Sequence, residues 1–247
     1  MKKPAIGIVG GVGPAAGADL FLKVLRHTRV SCDQDHIDAY MTSCPSIIPD
    51  RTGYLLNGGQ NPMEGIWECM VKLASLGATA IGVACNTAHS KRIMGQLDYS
   101  KLGPDVVVVN MIEETCRCIA KRFPAGVKAG LLATIGTNDT GVYDEYFAMH
   151  PGLELVKCSH ETKIAVNEAI YSKQYGIKAT PAVTEKAKAV ILDAAMQLKG
   201  AGCEILILGC TELPLALSSS SSPLALIDPT DILAQCLVKA TEPDKLI

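Results

Sequence analysis

Positive charge is not in excess in this sequence. Lys and Arg number 23 against 25 Asp and Glu, a formal net charge of −2. No basic field exists to draw in nucleic acid or an anionic lipid surface. Long apolar runs are missing too, and none approaches the ~18–20 residues that a membrane span needs. The opening Met1-Lys2-Lys3 is basic, but the apolar stretch Ala5–Val9 is too short for a signal core and is broken by Gly10-Gly11-Val12-Gly13-Pro14. A cytoplasmic location is expected. There is no Cys-x-x-Cys pair, and Cys116-x-Cys118 would point to different sides of a helix, so no metal site is expected. The ten cysteines in 247 residues therefore read as free thiols, most of them small buried hydrophobes. Charged residues are only 19%, which leaves little polar cover and hints at contacts between subunits.

What is present is apolar. Hydrophobic residues make up 48% of the chain, which excludes a disordered protein. At ~100–200 residues per domain, the length fits one large domain or two small lobes. Short apolar runs alternate with helical patterns. Strands are expected at Ala5–Val9, Ile37–Ser43, Thr79–Ala84, Val106–Val109, Val127–Ala133, Leu153–Lys157, Ile205–Leu208 and Leu224–Ile227. Helices are expected at Ala15–Arg29, Asn61–Leu76, His89–Leu97, Ile112–Arg122, Thr140–Met149, Glu161–Tyr175, Pro181–Lys199 and Ile232–Lys239. Near-continuous apolar strands between helices imply α/β architecture, with mostly parallel sheets covered on both faces. The five serines 218–222 read as a surface loop.

The chain also repeats itself. Residues 72–85 return, loosely, as residues 197–210. Leu73 pairs with Leu198, Gly77 with Gly202 and Cys85 with Cys210, each 125 residues apart. The preceding strands match as well, Ile6-Gly7-Ile8-Val9 with Ala129-Gly130-Leu131-Leu132. Two pseudo-symmetric α/β lobes follow, with residues 1–112 and 215–247 in the first and 113–214 in the second. Each carries one thiol at the carboxyl end of a buried strand, where open parallel sheets bind their ligands. Polar turns follow both thiols, Asn86-Thr87 and Thr211-Glu212. Free N–H groups at such turns suit a carboxylate, and a thiol at a helix start is expected to have its pKa lowered from ~8.5 toward neutrality. Lobes facing each other would set the two sulfurs across one cleft. One thiolate would then remove a proton from a trapped carbon while the opposite thiol returns one, inverting the centre. A core-filling role for each cysteine is the competing reading.

Val83-Ala84-Cys85-Asn86-Thr87-Ala88-His89 and Leu208-Gly209-Cys210-Thr211-Glu212-Leu213-Pro214 resemble the two signatures of the aspartate/glutamate racemase superfamily. Residues 8–14, Ile48-Pro49-Asp50-Arg51-Thr52, Ala133-Thr134-Ile135-Gly136-Thr137, and Ala169-Ile170-Tyr171 with Ile177-Lys178 resemble its aspartate racemase branch. The likeness covers about residues 5–235. It implies an aspartate racemase that needs no cofactor, built as two similar lobes and paired as a homodimer. Cys85 and Cys210 would be the two bases, Cys210 working on the L-enantiomer and Cys85 on the D-enantiomer. Asn86, Thr87, Thr211 and Glu212 would hold the α-carboxylate, with the backbone at Val12 close by. Arg51 and Lys178 match positions that hold substrate carboxylates. Lys163 is a weaker candidate for such a role. Glu212 would order the cleft or the neighbouring thiol, or act as a structural cap. His89 reads as a helix-face residue outside the site.

Three other readings stay open. The substrate could be glutamate, a wider amino-acid set, or that of a related two-thiol isomerase such as a maleate isomerase. Gly11-x-Gly13-x-x-Ala16 loosely fits a dinucleotide fingerprint, but the second strand ends in Thr42-Ser43-Cys44 with no acidic residue. A non-catalytic binding protein on the same scaffold is the third, and two intact thiols argue against it.

Overall fold

The computed structural model describes residues 3–180 and 182–247. The first compact unit comprises residues 1–114 and 230–247, and the second comprises residues 115–229. The first unit is built from β1 (Ala5–Gly10), α1 (Pro14–Arg26), β2 (Asp38–Ser43), α2 (Arg51–Asn57), α3 (Met63–Leu76), β3 (Ala78–Val83) and β4 (Val107–Val109). Helix α4 (Met111–Arg122) carries the chain across the first boundary. The second unit holds β5 (Lys128–Ala133), α5 (Ile135–Asp139), α6 (Val142–Ala148), β6 (Glu154–Lys157), α7 (His160–Tyr171), α8 (Glu185–Gly200), β7 (Ile205–Gly209), α9 (Leu213–Ala216) and β8 (Ala225–Ile227). Helix α10 (Pro229–Thr241) returns to the first unit.

The sheets run β2-β1-β3-β4 and β6-β5-β7-β8, and every pairing is parallel. The central strands are apolar along their length because both faces are covered: β1 and β7 are wholly buried. The repeat is visible in the packing. A side chain at Gly7 would meet Ala78 and Ile81, with Leu73 close by, whereas one at Gly130 would meet Leu198 and Cys203. Leu73 and Leu198 correspond, and so do Ala78 and Cys203, so the same helix presses on the same strand in both halves. Both leucines are buried to 2% exposure or less, and truncating either to alanine should cost ~2–5 kcal/mol. Among the described residues, no helix is long and apolar enough to cross a membrane.

Several expectations need correction. Residues 215–229 belong to the second unit, not the first, because β8 pairs with β7 in register Ile205↔Ala225 to Ile207↔Ile227. The helix expected at His89–Leu97 is a series of short 3-10 turns, Thr87–His89, Met94–Gln96 and Tyr99–Leu102. Ser90 leaves the first with extended backbone, and Asp98 starts the last by accepting from Ser100 N at 3.2 Å. The helix expected at Thr140–Met149 is α6, which starts at Val142 after Gly141 with φ 66°, and the short α5 just before it was not expected. Helix α7 stops at Tyr171, where Ser172 turns extended. Helix α8 starts late, at Glu185, where the Thr184 hydroxyl accepts from Ala187 N at 3.2 Å. Pro181, expected to open it, lies outside the described residues, as do Met1 and Lys2.

Candidate active site

Cys85 sits just past β3, 8% exposed, and its N–H donates to the Val83 carbonyl at 2.9 Å. Asn86 and Thr87 follow it into a buried 3-10 turn that ends at His89. Cys85 packs in the same apolar cluster as Val12, Ile48, Leu55 and Ala88. Val12 comes from the turn after β1, Ile48 and Leu55 from the segment around α2, and Ala88 from the 3-10 turn itself.

Helix α2 was not legible in the sequence. Asp50 caps it by accepting from Gly53 N at 2.5 Å, and Gly58 ends it with φ 67°. Arg51 is its first residue and is buried. The guanidinium donates to the Val12 carbonyl, and to the Pro49 carbonyl at 3.3 Å. Val12 therefore stands in the structure as the acceptor that orients Arg51. Glycine is required at position 11: φ is +81°, and a Cβ there would lie 2.6 Å from Cys44 N. The space that a missing side chain leaves at this turn is filled by the Cys44–Pro45 backbone. Helix α2 is tied to the segment after Cys85 by Arg92, whose Nη1 donates to Leu55 O at 2.9 Å while its guanidinium lies 5.4 Å from the Tyr54 ring centre.

The second thiol is set in a different electrostatic environment. Cys210 follows β7, 6% exposed, and its Sγ donates to Glu212 Oε2 at 3.1 Å. Thr211 Oγ1 donates to the same oxygen at 3.1 Å. The other oxygen, Oε1, accepts from Lys178 Nζ. Lys178 is brought there by its own backbone. Ile177 N donates to Ala169 O at 2.9 Å and Lys178 N to Ile170 O at 3.1 Å. The two motifs 169–171 and 177–178 are thus pinned together at the end of α7. The Tyr171 ring centre lies 5.8 Å from Nζ.

The charges follow from these contacts. Burial pushes the Cys210 thiol up well above the ordinary cysteine value. The Glu212 carboxylate pushes it further, and Lys178 only partly offsets them. The lowered pKa expected from a helix start is overturned here, since α9 has four residues and a full carboxylate faces the sulfur. Burial acts to raise Glu212, but Lys178 and the Cys210 and Thr211 hydrogen bonds prevail and hold it below the usual carboxylate value. Burial pulls Lys178 down, yet Cys210 and Glu212 outweigh it and raise the ammonium above its usual range. The ensemble is a protonated thiol on an ionised carboxylate on an ammonium. Such a carboxylate orients a thiol and can take or return its proton.

The first unit thus brings together Cys85, Asn86, Thr87, Val12 and Arg51 at the carboxyl edge of its sheet. The second brings together Cys210, Thr211, Glu212 and Lys178 at the matching edge of its own. Lys163 lies on the first turn of α7, where its charge acts on Cys158. Asp50 and Arg92 were missed. An Asx cap three residues before Gly53 could have flagged the first, whereas nothing in the sequence marks the second. Among the described residues, no group of three His, Cys, Asp or Glu side chains could hold a metal ion.

The chain is similar to several known proteins. The Picrophilus torridus aspartate racemase is 27% identical, with a TM-score of 0.78 over 96% of this chain and 94% of that one. A glutamate racemase of Thermus thermophilus is 30% identical over 184 residues, 73% of this chain and 62% of that protein. One from Beutenbergia cavernae is 31% identical over 151 residues, 60% of this chain and 47% of that protein. The chain thus spans between about half and three-fifths of the length of the curated relatives it matches. The Asp/Glu/hydantoin racemase family model matches residues 9–237, which is nearly all of both repeated halves and both thiol turns, and the chain belongs to that family.

Proposed function

We propose that this protein is an amino-acid racemase that interconverts L- and D-aspartate by proton transfer at Cα, with Cys85 and Cys210 as the two bases and no cofactor. The observation that carries this reading is the Cys210–Glu212–Lys178 chain of contacts, which core filler would not need. The raised thiol keeps Cys210 protonated at rest. In the D-to-L direction Cys85 takes the α-proton from one side and Cys210 delivers one from the other.

The difficult step is removing that proton with so weak a base. Each unit of pK mismatch corresponds to ~1.4 kcal/mol. Charge that develops on the α-carboxylate must therefore be met by fixed donors in a dry site. The turns Asn86-Thr87 and Thr211-Glu212 supply N–H groups for it. Arg51 suits the side-chain carboxylate because its fork can bind both oxygens. Lys178 can reach a substrate carboxylate while holding Glu212, since an ammonium has three donors. Identity to glutamate racemases makes glutamate the second substrate to test.

Racemisation of a panel of L- and D-amino acids in D2O tests the proposal. Aspartate should turn over fastest, and deuterium should appear at Cα of the product enantiomer. Cys85→Ser and Cys210→Ser should each lower turnover by at least ~10³-fold, the order lost when a group acting in the transition state is removed. Wild-type turnover in either variant defeats the two-base scheme, and preference for neutral side chains defeats the dicarboxylic assignment.

A further inference from the structure

His89 lies four residues beyond Cys85, and the two-base reading makes no use of it. Its side chain is buried at 6% exposure. Nε2 lies 3.2 Å from the Val83 carbonyl oxygen. A carbonyl can only accept, so Nε2 carries the hydrogen and the ring is held as one tautomer. Burial pulls its pKa down to about 4, with the Val83 bond acting the other way, so the ring is neutral at pH 7. The same carbonyl accepts from Cys85 N at 2.9 Å. Both lone pairs of one oxygen are therefore used, one by the thiol-bearing residue and one by the imidazole. His89 N in turn donates to Asn86 O at 3.1 Å. The tight turn Val83–Cys85 is closed by its own backbone and braced at the same carbonyl by this ring.

The other ring nitrogen argues against a packing role. Among the described residues, His89 Nδ1 is buried and finds no hydrogen-bond partner. Leaving such an acceptor dry is costly, a cost that leucine or phenylalanine of similar size would avoid. What histidine adds at this place is the Nε2 donor.

We propose that His89 is a positioning residue for Cys85, clamping the Val83 carbonyl and so fixing the turn that presents the thiol. Its consequence for turnover rests on the racemase reading, but its consequence for the thiol does not. The test is the alkylation rate of Cys85 by iodoacetamide, read by peptide mapping with Cys210 as the internal reference, on His89→Leu, His89→Asn and His89→Gln. Gln places an amide donor where Nε2 stands, whereas Asn is too short to reach the carbonyl. In the Leu and Asn variants the turn should open and Cys85 should react about three- to tenfold faster, the equivalent of one lost hydrogen bond. Cys210 should react at its wild-type rate, and Gln should restore Cys85 to within about twofold. On aspartate, Leu and Asn should lower kcat about ten- to a hundredfold with KM little changed, as expected for a misplaced reacting group. Wild-type alkylation of Cys85 in both Leu and Asn overturns the proposal, and so does a Gln variant that behaves like them. Equal acceleration of both thiols also overturns it, because that reports general loosening. A protein that shows the Cys85 pattern yet racemises nothing leaves the clamp standing and removes the proposed function instead.

Discussion

Cys85 and Cys210 end corresponding strands of two sheets with the same strand order, yet the residues around them differ in kind. Around Cys85 the turn is braced by a neutral imidazole, and the cation Arg51, on a separate short helix, holds the Val12 carbonyl of a loop in the same cluster. Around Cys210 the sulfur touches a buried carboxylate that is itself held by an ammonium. Four residues after Cys210 stands Pro214, where the first half has His89. Proline has no side-chain donor, so the second half cannot brace its turn in the same way. The lesson is that duplication sets where a thiol stands, while the residues just after it and the loop packed on it set its proton. The two bases proposed for racemisation are therefore not alike in their surroundings.

Four tests would break or sharpen that contrast. The largest effect concerns the buried imidazole. Its folded pKa of about 4 is below the ordinary 6.5, so the unfolded chain takes up the proton first. Wild-type stability should therefore fall as pH drops from 6.5 to 4, by about 3 kcal/mol from this group at ~1.4 kcal/mol per unit. His89→Gln should lose that part of the slope, as read by urea unfolding at several pH values. An unchanged slope would mean the ring is not buried and neutral.

Next comes Lys178→Met, which leaves Glu212 buried without its cation. Stability should fall by about 2–3 kcal/mol, the lower end for a broken buried pair because Lys178 keeps 22% of its side chain exposed. Activity on aspartate should drop about a hundredfold in kcat/KM. A variant as stable as wild type would show that the pair is not coupled.

Smaller again is a test of the scaffold. In Gly7→Ala the new Cβ would stand 2.9 Å from Ala78 Cβ, a group that cannot rotate away. In Gly130→Ala it would meet Leu198 Cδ1 at 3.0 Å, a methyl that can swing aside, with the fixed Leu198 Cβ slightly farther at 3.1 Å. Thermal unfolding should show Gly7→Ala destabilised by about 1–3 kcal/mol, and Gly130→Ala by less. The reverse order would deny that the two strand–helix contacts differ in this way. Last, Glu212→Gln removes the negative charge facing Cys210. The thiol should ionise at lower pH than in wild type, seen as a leftward move of the Cys210 alkylation profile, with the Cys85 rate unmoved. A profile that stays in place would remove Glu212 as a cause of the raised thiol.

Strands and most helices were readable because their signals are local. Apolar runs bounded by glycine mark β1, β3, β5 and β7. Misreadings fell where short-range polar contacts decide the backbone, as at Asp98, Thr184 and Gly141. Within the site, the two thiols and the polar pairs after them were legible as a repeat. The Arg51 helix was not, because its stability comes from a cap and from Arg92, which is distant in sequence. The second boundary was placed too early because a three-residue edge strand carries little pattern. Only its hydrogen bonds to β7 show where it belongs.

By itself the sequence determined the α/β alternation, the duplication and the placing of one thiol at each matching strand end, since each depends on residue spacing and apolar periodicity along the chain. The tertiary structure alone decided which distant residues are brought in around the thiols. Lys178 reaches Glu212 across 34 residues, and Arg51 reaches Val12 across 39. Ionisation depends on distance and burial in space, which no order of residues states.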